Sequence, residues 1–532
     1  MLLLLILTSI SAITFLFYWY ITKNWNYWKS KNVLQMDPSF PFGSLPAFFT
    51  KSAAISDVLK EHALKSRGHS FYGIYFLRQP FLVITDPDLI KQITIKDFDY
   101  FVDRMSGTLK DLFFGGNTRT AKIWRQQLTN AEGEEWKLIR STFSPIFTSG
   151  KMKGMMGLLQ EKCGKLIQSM DTFASTNEDF ELRTLYGKYS MDTIASCAFG
   201  VNAQSFENEN SPFAMYAKNI LTLDFKQMMK MLIAFFPMGN ALMNFIGMSV
   251  FAEKETDFFY DIVISTLKHR RQSGKRRNDM IDLMLDAVKG ELKIESEIEN
   301  QFEKDARLKV SKHHDRELDE LVIVANAIVL MVAGYETTSN LLSYATFELA
   351  RHPDVQAKLR REIEDTNPSL DNQAFTYDQL QSMTYMDQVI HETLRLYPGS
   401  GFFERTATKN YQVPGHDLVI EKGTQIWVNK ISIHRNPKYF KAPNDFDPDL
   451  HFSKEAKASR HPYAYAGFGH GPRGCIGMRF ALLEAKLALA SIICKFSLIP
   501  SEKTVDPTLI DPTAFVAYPK NGLYIGLSKV EN

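Results

Sequence analysis

The sequence predicts a mainly α-helical domain with a small β region, behind one N-terminal transmembrane helix. Three observations carry that prediction. Residues 315–349 hold no proline and one glycine, with a largely apolar middle from Leu321 to Val332. At about 1.5 Å per residue such a helix is about 50 Å long, and being apolar on most sides it belongs in a core. Residues 1–22 carry no charged side chain and are mostly apolar, and about 20 such residues cross a bilayer as a helix. Strand-like stretches are short, at 73–77, 81–85, 418–420 and 424–429. Turn residues bound them, which suits a small sheet.

The N-terminal helix ends in Tyr18, Trp19 and Tyr20, followed by Lys23, Lys29 and Lys31. Interfacial aromatics and trailing positive charge predict an uncleaved single-pass anchor with the rest of the chain cytoplasmic. A cleaved signal peptide would need a basic leader and a small-residue cleavage site, and the sequence has neither. Pro38, Pro41, Gly43 and Pro46 punctuate a stiff linker. The expected organisation is therefore an anchor over 1–22, a linker over 23–46 and one large domain over 47–532. No low-complexity block or repeat divides that domain. Lys+Arg total 62 against 60 Asp+Glu, so nothing drives the chain toward nucleic acid. Hydrophobic residues make up 45% and aromatics 12%, enough for a large core. Cys163, Cys197, Cys475 and Cys494 are few and unpatterned, which fits a reducing compartment and no disulfide scaffold.

Within the domain, Asp86-Pro87 opens a helix after the first strand pair. Phe98 to Arg104 then lead into a loop through Gly115-Gly116, a common kind of place for substrate contact. A helix begins near Glu134 and sets Trp136 and Arg140 four apart on one face; alone, such a pair reads as an arginine packed on a tryptophan. Residues 228–251 are apolar but interrupted by Lys230, Pro237, Gly239 and Gly247. They read as two short pieces that roof a cavity or dip into a membrane surface, or as ordinary core helices. The basic run 268–277 reads as solvated surface, and 291–304 as an exposed connection.

Ala333-Gly334-Tyr335-Glu336-Thr337-Thr338-Ser339 interrupts the long apolar helix. Glycine and threonine lower helix propensity, and a buried acid costs desolvation. Local rules broken inside a core helix point to function. Thr376 to Gln379 is a capping box, expected to open the helix that carries Glu392 and Arg395. Taken alone, that Glu/Arg spacing reads as a surface pair. The tail from Pro512 to Tyr518 reads as a hairpin whose tip reaches toward the pocket.

The sharpest signal is Phe468-Gly469-His470-Gly471-Pro472-Arg473-Gly474-Cys475-Ile476-Gly477, leading into a helical run over 478–498. Its glycines allow tight turns and close approach to a planar group. A cysteine just before a helix meets free N–H groups that favour a thiolate. A buried structural cysteine is the alternative for a shorter match; for the whole string it is the weaker reading. This loop resembles the haem-ligand signature of the cytochrome P450 superfamily, complete at each signature position. Phe143 to Met152 is similar to one clan of it, which includes vertebrate drug-metabolising enzymes, thromboxane synthase and insect detoxification enzymes.

The resemblance implies the P450 fold, a helical prism with a small β-rich region, and haem b (iron protoporphyrin IX) on a Cys475 thiolate. It implies haem-binding roles for Trp136, Arg140, Arg104, Arg405, Arg473, Phe468, Gly477 and Gly334, the charged ones toward its propionates. Glu336 and Thr337 would deliver protons to bound O2. Glu392 and Arg395 would brace the cysteine loop with an arginine from F-x-P-x-R-F. Here the sequence departs: Phe446-Asp447-Pro448-Asp449-Leu450-His451-Phe452 has one residue more, and His451 stands nearest the arginine's place. The implied activity is a monooxygenase acting on a lipophilic small molecule (a xenobiotic, steroid or fatty-acid-like compound). Its electrons would come from NADPH through a reductase flavoprotein, with cytochrome b5 as a further partner, at the endoplasmic reticulum membrane. Lys137, Arg479 and Lys486 are candidate docking charges. The alternatives are a reductase-independent peroxide isomerase or dehydratase of the thromboxane-synthase type, and a non-catalytic membrane haem carrier. The Glu336-Thr337 pair disfavours the isomerase.

Overall fold

In this computed structural model the described residues are 1–105, 110, 114, 116–208, 211–220, 229–230, 233, 239–245, 249–292, 301–306, 318–367, 374–504, 507–514 and 516–530. The apolar N-terminal run is one helix, α1 (Leu2–Thr22). The segment after it is not a free linker. Trp28 is buried and its indole donates to the Ile74 carbonyl, while the Trp25 indole donates to that of Leu77. The ring of Trp28 lies where Gly73 has no side chain.

Two strands, β1 (Phe71–Phe76) and β2 (Gln79–Ile84), form the predicted hairpin. Asp86 then caps the next helix by accepting from the Leu89 N–H at 3.0 Å. The helical body follows: α2 (Gly133–Phe143), α3 (Ser149–Thr176), α4 (Leu182–Ile194), α5 (Glu253–Ser273), α6 (Glu320–Arg351) and α7 (Thr384–Leu396). Strands β3 (Phe402–Thr406) and β4 (Gln425–Asn429) complete the first sheet in the order β1-β2-β4-β3, with β2 and β4 parallel. The last helix, α8 (Met478–Lys495), runs straight into β5 (Phe496–Pro500), paired with β6 (Tyr524–Lys529).

One large apolar cluster joins α2, α3, α4, α6, α7 and α8, with α6 through its middle. A smaller one lies under the first sheet. Several boundaries differ from expectation for local reasons. Helix α6 starts at Glu320, not near 315, because the Asp319 carboxylate accepts from the Val322 N–H and caps it. The capping box at Thr376 opens a separate short helix (Tyr377–Ser382). The chain breaks at Met383 (ψ 92°) before α7 begins. The basic run is only partly solvated: Arg270 bonds Asp279 and Asp282, and Arg277 reaches the Gly200 carbonyl and Ser196. Much of 228–251 and 291–300 lies outside the described residues, although Gly239–Phe245 is helical.

Candidate active site

Cys475 ends a loop that folds back on itself. Its N–H donates to the Phe468 carbonyl at 2.9 Å. Gly471 has φ +70°, and a Cβ there would stand 1.9 Å from the Thr94 carbonyl oxygen, so only glycine fits. Cys475 is an exposed residue, with the Gly477 N–H, at the N-cap of α8, directed at its sulfur. Burial pushes the thiol up, and the Gly477 N–H with the charges of Arg140, Arg104 and Lys430 offsets only part of that. A coordinated cation deprotonates such a thiol outright.

Arginines from separate elements converge on this loop and hold its carbonyls. Arg104 donates to the Arg473 carbonyl (3.1 Å), Arg140 on α2 to that of Gly474 (3.0 Å), and Arg405 on β3 to that of His470 (3.1 Å). In all three the Nε is buried and has no hydrogen-bond partner. Burial, with repulsion from Arg104, brings Arg140 down to about 10 and Arg405 to about 9. Arg473 is different. Its Nε, Nη1 and Nη2 donate to the Val102, Leu128 and Ala131 carbonyls, and it lies 4.0 Å above the Trp136 ring. Trp136 is thus covered by Arg473 and not by Arg140, its neighbour on α2. Asp103 stands 3.9 Å from Arg473.

Buried cations that repel one another and keep spare donors fit an added ligand bearing carboxylates. An exposed cysteine beside them fits that ligand's iron. The residues present therefore suit a haem.

On α6, Ala333 and Thr337 are open while Tyr335 and residues 338–350 are buried. Four residues apart, they share an open face of this core helix. Thr337 donates back to the Ala333 carbonyl, and its Cγ2 lies 3.9 Å from where Gly399 would carry a Cβ. Val516 from the C-terminal loop comes within 3.8 Å of the same point, so the tail does reach this wall. Gly334 faces α4. A Cβ on it would lie 2.9 Å from Ile194 Cδ1, so its smallness lets α4 pack closely on α6. Glu336 pairs with Arg183 of α4 at 3.2 Å and leaves Oε2 buried without a partner. Burial pushes its carboxyl up, against the charge and hydrogen bond of Arg183.

Behind the loop, Arg395 grips Glu392 at 2.6 and 2.8 Å, both fully buried. His451 takes the third position of the brace: Nδ1 lies 2.8 Å from Glu392 Oε1 and Nε2 lies 2.6 Å from the Lys441 carbonyl. Of the candidate docking charges, Lys486 is buried on Asp387 and the Leu380 carbonyl and cannot meet a partner. Arg479 is held by Glu303 at 2.7 Å, and Lys137 by Glu134 at 2.8 Å. Arg183 and Lys430 escaped sequence reasoning. The one available signal was a lysine inside the apolar run Ile426 to Ile433.

The family model described as cytochrome P450 matches residues 41–525. The chain is 33% identical to cytochrome P450 6B2 of Helicoverpa armigera over 519 residues, covering 97% of each chain. It is 32% identical to a probable cytochrome P450 9f2 of Drosophila melanogaster over 519 residues, covering 96% of each. Over 439 residues it is 37% identical to cytochrome P450 3A29 of Sus scrofa, covering 82% of this chain and 80% of that one.

Proposed function

Because this chain belongs to the cytochrome P450 family, and is by that membership a haem-dependent monooxygenase, we propose that it oxidises a lipophilic small molecule with electrons drawn from NADPH through a reductase flavoprotein. The observation that carries the site assignment is the set of arginines around Cys475 whose buried Nε atoms lack partners.

In this reading Cys475 would ligate the haem iron, held in place by its own N–H on Phe468 and by the rigid turn at Gly471. Arg104, Arg140 and Arg405 would hold the haem carboxylates with the donors they have left. Arg473 and Trp136 act one step behind, fixing the loop and the neighbouring carbonyls. When bound, the haem supplies the activation of O2, one atom going to the substrate and the other leaving as water. Thr337 presents its hydroxyl to the cavity; turned away from the Ala333 carbonyl, its proton points inward. Glu336 holds a proton at Oε2, the oxygen that Arg183 does not engage, and passes it toward Thr337. Gly399 and Val516 form an apolar wall beside Thr337 that excludes water and suits an apolar substrate. The exposed apolar α1 anchors the domain in the endoplasmic reticulum membrane. Lys23 packs on Trp19 and Tyr20 at its end (5.2 and 5.8 Å) and marks the cytoplasmic boundary.

The direct test is Cys475→Ala. Its reduced, CO-treated form is expected to lose the red-shifted Soret band of thiolate ligation, and a retained band would refute the assignment. NADPH consumption with reductase and a panel of lipophilic compounds tests the electron source. Rearrangement of a hydroperoxide without NADPH would favour an isomerase instead.

A further inference from the structure

Tyr518 lies on the C-terminal loop and is only 3% exposed, yet the site described above gives it no role. Its hydroxyl sits at the start of α4, where it donates to Glu181 Oε1 at 2.5 Å and accepts from the Arg183 N–H at 3.2 Å. Burial and the Glu181 charge push that hydroxyl up, so it keeps its proton. Glu181 in turn caps α4, accepting from the N–H groups of Arg183 at 3.1 Å and Thr184 at 2.7 Å. The ring of Tyr518 is held as well as the hydroxyl. Its centroid lies 6.0 Å from that of Tyr344 on α6, and Tyr344 stacks on Tyr397 at 3.9 Å. Over this fixed ring lies the Arg183 guanidinium, 4.9 Å from its centroid. The same guanidinium pairs with Glu336 on α6 at 3.2 Å. The Arg183 side chain is 33% exposed, so water competes with Glu336 for it, and a ring that holds the guanidinium in place weighs against the water. Two residues earlier, Val516 comes within 3.8 Å of the point where Gly399 would carry a Cβ, and Thr337 within 3.9 Å of it. One loop thus meets both residues of the proposed proton delivery: Val516 stands beside Thr337, and Tyr518 reaches Glu336 through Arg183.

We propose that Tyr518 is a positioning residue for proton delivery: its ring holds the Arg183 guanidinium against Glu336 and so ties the acid of α6 to the C-terminal loop that meets Thr337. The inference rests on the reading of Glu336 as the proton donor. Tyr518 itself passes no proton and touches no reacting atom. The ionisable groups acting on Glu336 are Arg183 from α4 and, beside it on α6, Tyr335, whose hydroxyl burial and the Glu336 charge push up to about 12. Tyr335 is therefore neutral at working pH, and Arg183 is the cation that sets the acid. Arg183 lowers the Glu336 carboxyl against the rise that burial causes, so loosening Arg183 moves the Glu336 titration to higher pH. A partly buried cation–π contact is worth about tenfold in an equilibrium.

Infrared difference spectra between the wild-type holoprotein and Glu336→Gln, taken across pH, read the Glu336 carboxyl by its C=O stretch. The same difference is taken between Tyr518→Leu and Tyr518→Leu/Glu336→Gln. In Tyr518→Leu the carboxyl is expected to titrate at higher pH, its ratio of protonated to ionised form at a fixed pH raised about tenfold. Tyr518→Phe keeps the ring and is expected to titrate as the wild type does. An unmoved titration in Tyr518→Leu overturns the role of Tyr518, and so does a Tyr518→Phe shift as large as that of Tyr518→Leu, since the ring would then not be what holds Arg183. If Tyr518→Leu fails to hold haem, Tyr518→Met takes its place, and an unmoved titration there overturns the proposal equally. Failure of both to hold haem, with Tyr518→Phe holding it, also overturns it, since the ring would then serve packing alone. The underlying reading fails separately: Glu336→Gln forming as much product per electron as the wild type, with reductase, NADPH and the lipophilic panel, refutes proton delivery by Glu336 itself.

Discussion

His451 offers the most exposed test of the brace behind the cysteine loop. Both of its ring nitrogens face oxygen acceptors, Glu392 Oε1 at 2.8 Å and the Lys441 carbonyl at 2.6 Å. A neutral imidazole has one N–H, so satisfying both acceptors requires the doubly protonated ring. Glu392 Oε1 also accepts from Arg395 and from the Asp447 N–H at 2.9 Å, so His451→Ala does not orphan the carboxylate. It removes one charge-assisted bond, worth about 1.5–3 kcal/mol, and leaves the Lys441 carbonyl short of its donor, about 1–3 kcal/mol. The expected loss is about 3–5 kcal/mol, comparable with other broken buried pairs. Urea unfolding of the holoprotein, followed by far-UV circular dichroism and by the Soret band, measures it. A double-mutant cycle with Glu392→Gln should give a coupling of about 1.5–3 kcal/mol. A loss below about 1 kcal/mol together with additivity within about 0.5 kcal/mol would refute the reasoning. The brace also carries a pH signature. Burial pushes the Glu392 carboxyl up, but the hydrogen bonds and charges of Arg395 and His451 hold it below its ordinary value. A group depressed in the folded state stabilises fully above its unfolded value, about 4.3 for Glu, and that stabilisation fades as pH falls through the folded value. Acid unfolding of the wild type should therefore include this term, and His451→Ala should have less of it to lose.

Two further substitutions probe the site. Gly471→Ala would put a Cβ 1.9 Å from a backbone carbonyl at a φ of +70°, and neither partner is a side chain that can yield. Purified variant should contain less than a tenth of the wild-type haem by absorbance, whereas near-normal haem content would show that the loop can re-form. Arg183→Ala removes the charge that lowers the Glu336 carboxyl. The alkaline limb of product formed per electron supplied, where Glu336 loses its proton, should then move to higher pH, and an unmoved limb would take Glu336 out of proton delivery.

Much of the site was legible because the signals are local. Cys475 with its glycines, the broken helix around Glu336 and Thr337, and the Glu392–Arg395 spacing are each set within ten residues, and the structure brings out the geometry that such short strings encode. Misreadings arose where contacts are distant. Arg473, expected to meet a cofactor carboxylate, spends its donors on the Val102, Leu128 and Ala131 carbonyls. Lys486, read as a docking charge, is tied down by Asp387 and Leu380. Gly334, expected to bind the haem, lets α4 pack closely on α6.

The sequence by itself determined the mainly helical architecture, the apolar N-terminal helix, the family, and which cysteine lies in a ligand-like loop. Periodicity, caps and turn residues act over a few neighbours, and so they can be read from the chain. Only the tertiary structure decided what the cations do, because charge acts through space. Arg104, Arg140 and Arg405 arrive from three separate elements to share one set of carbonyls, and Arg183 meets Glu336 across 153 positions of chain. His451, which departs from the expected arginine, becomes a full member of the brace because the fold places an acceptor at each ring nitrogen.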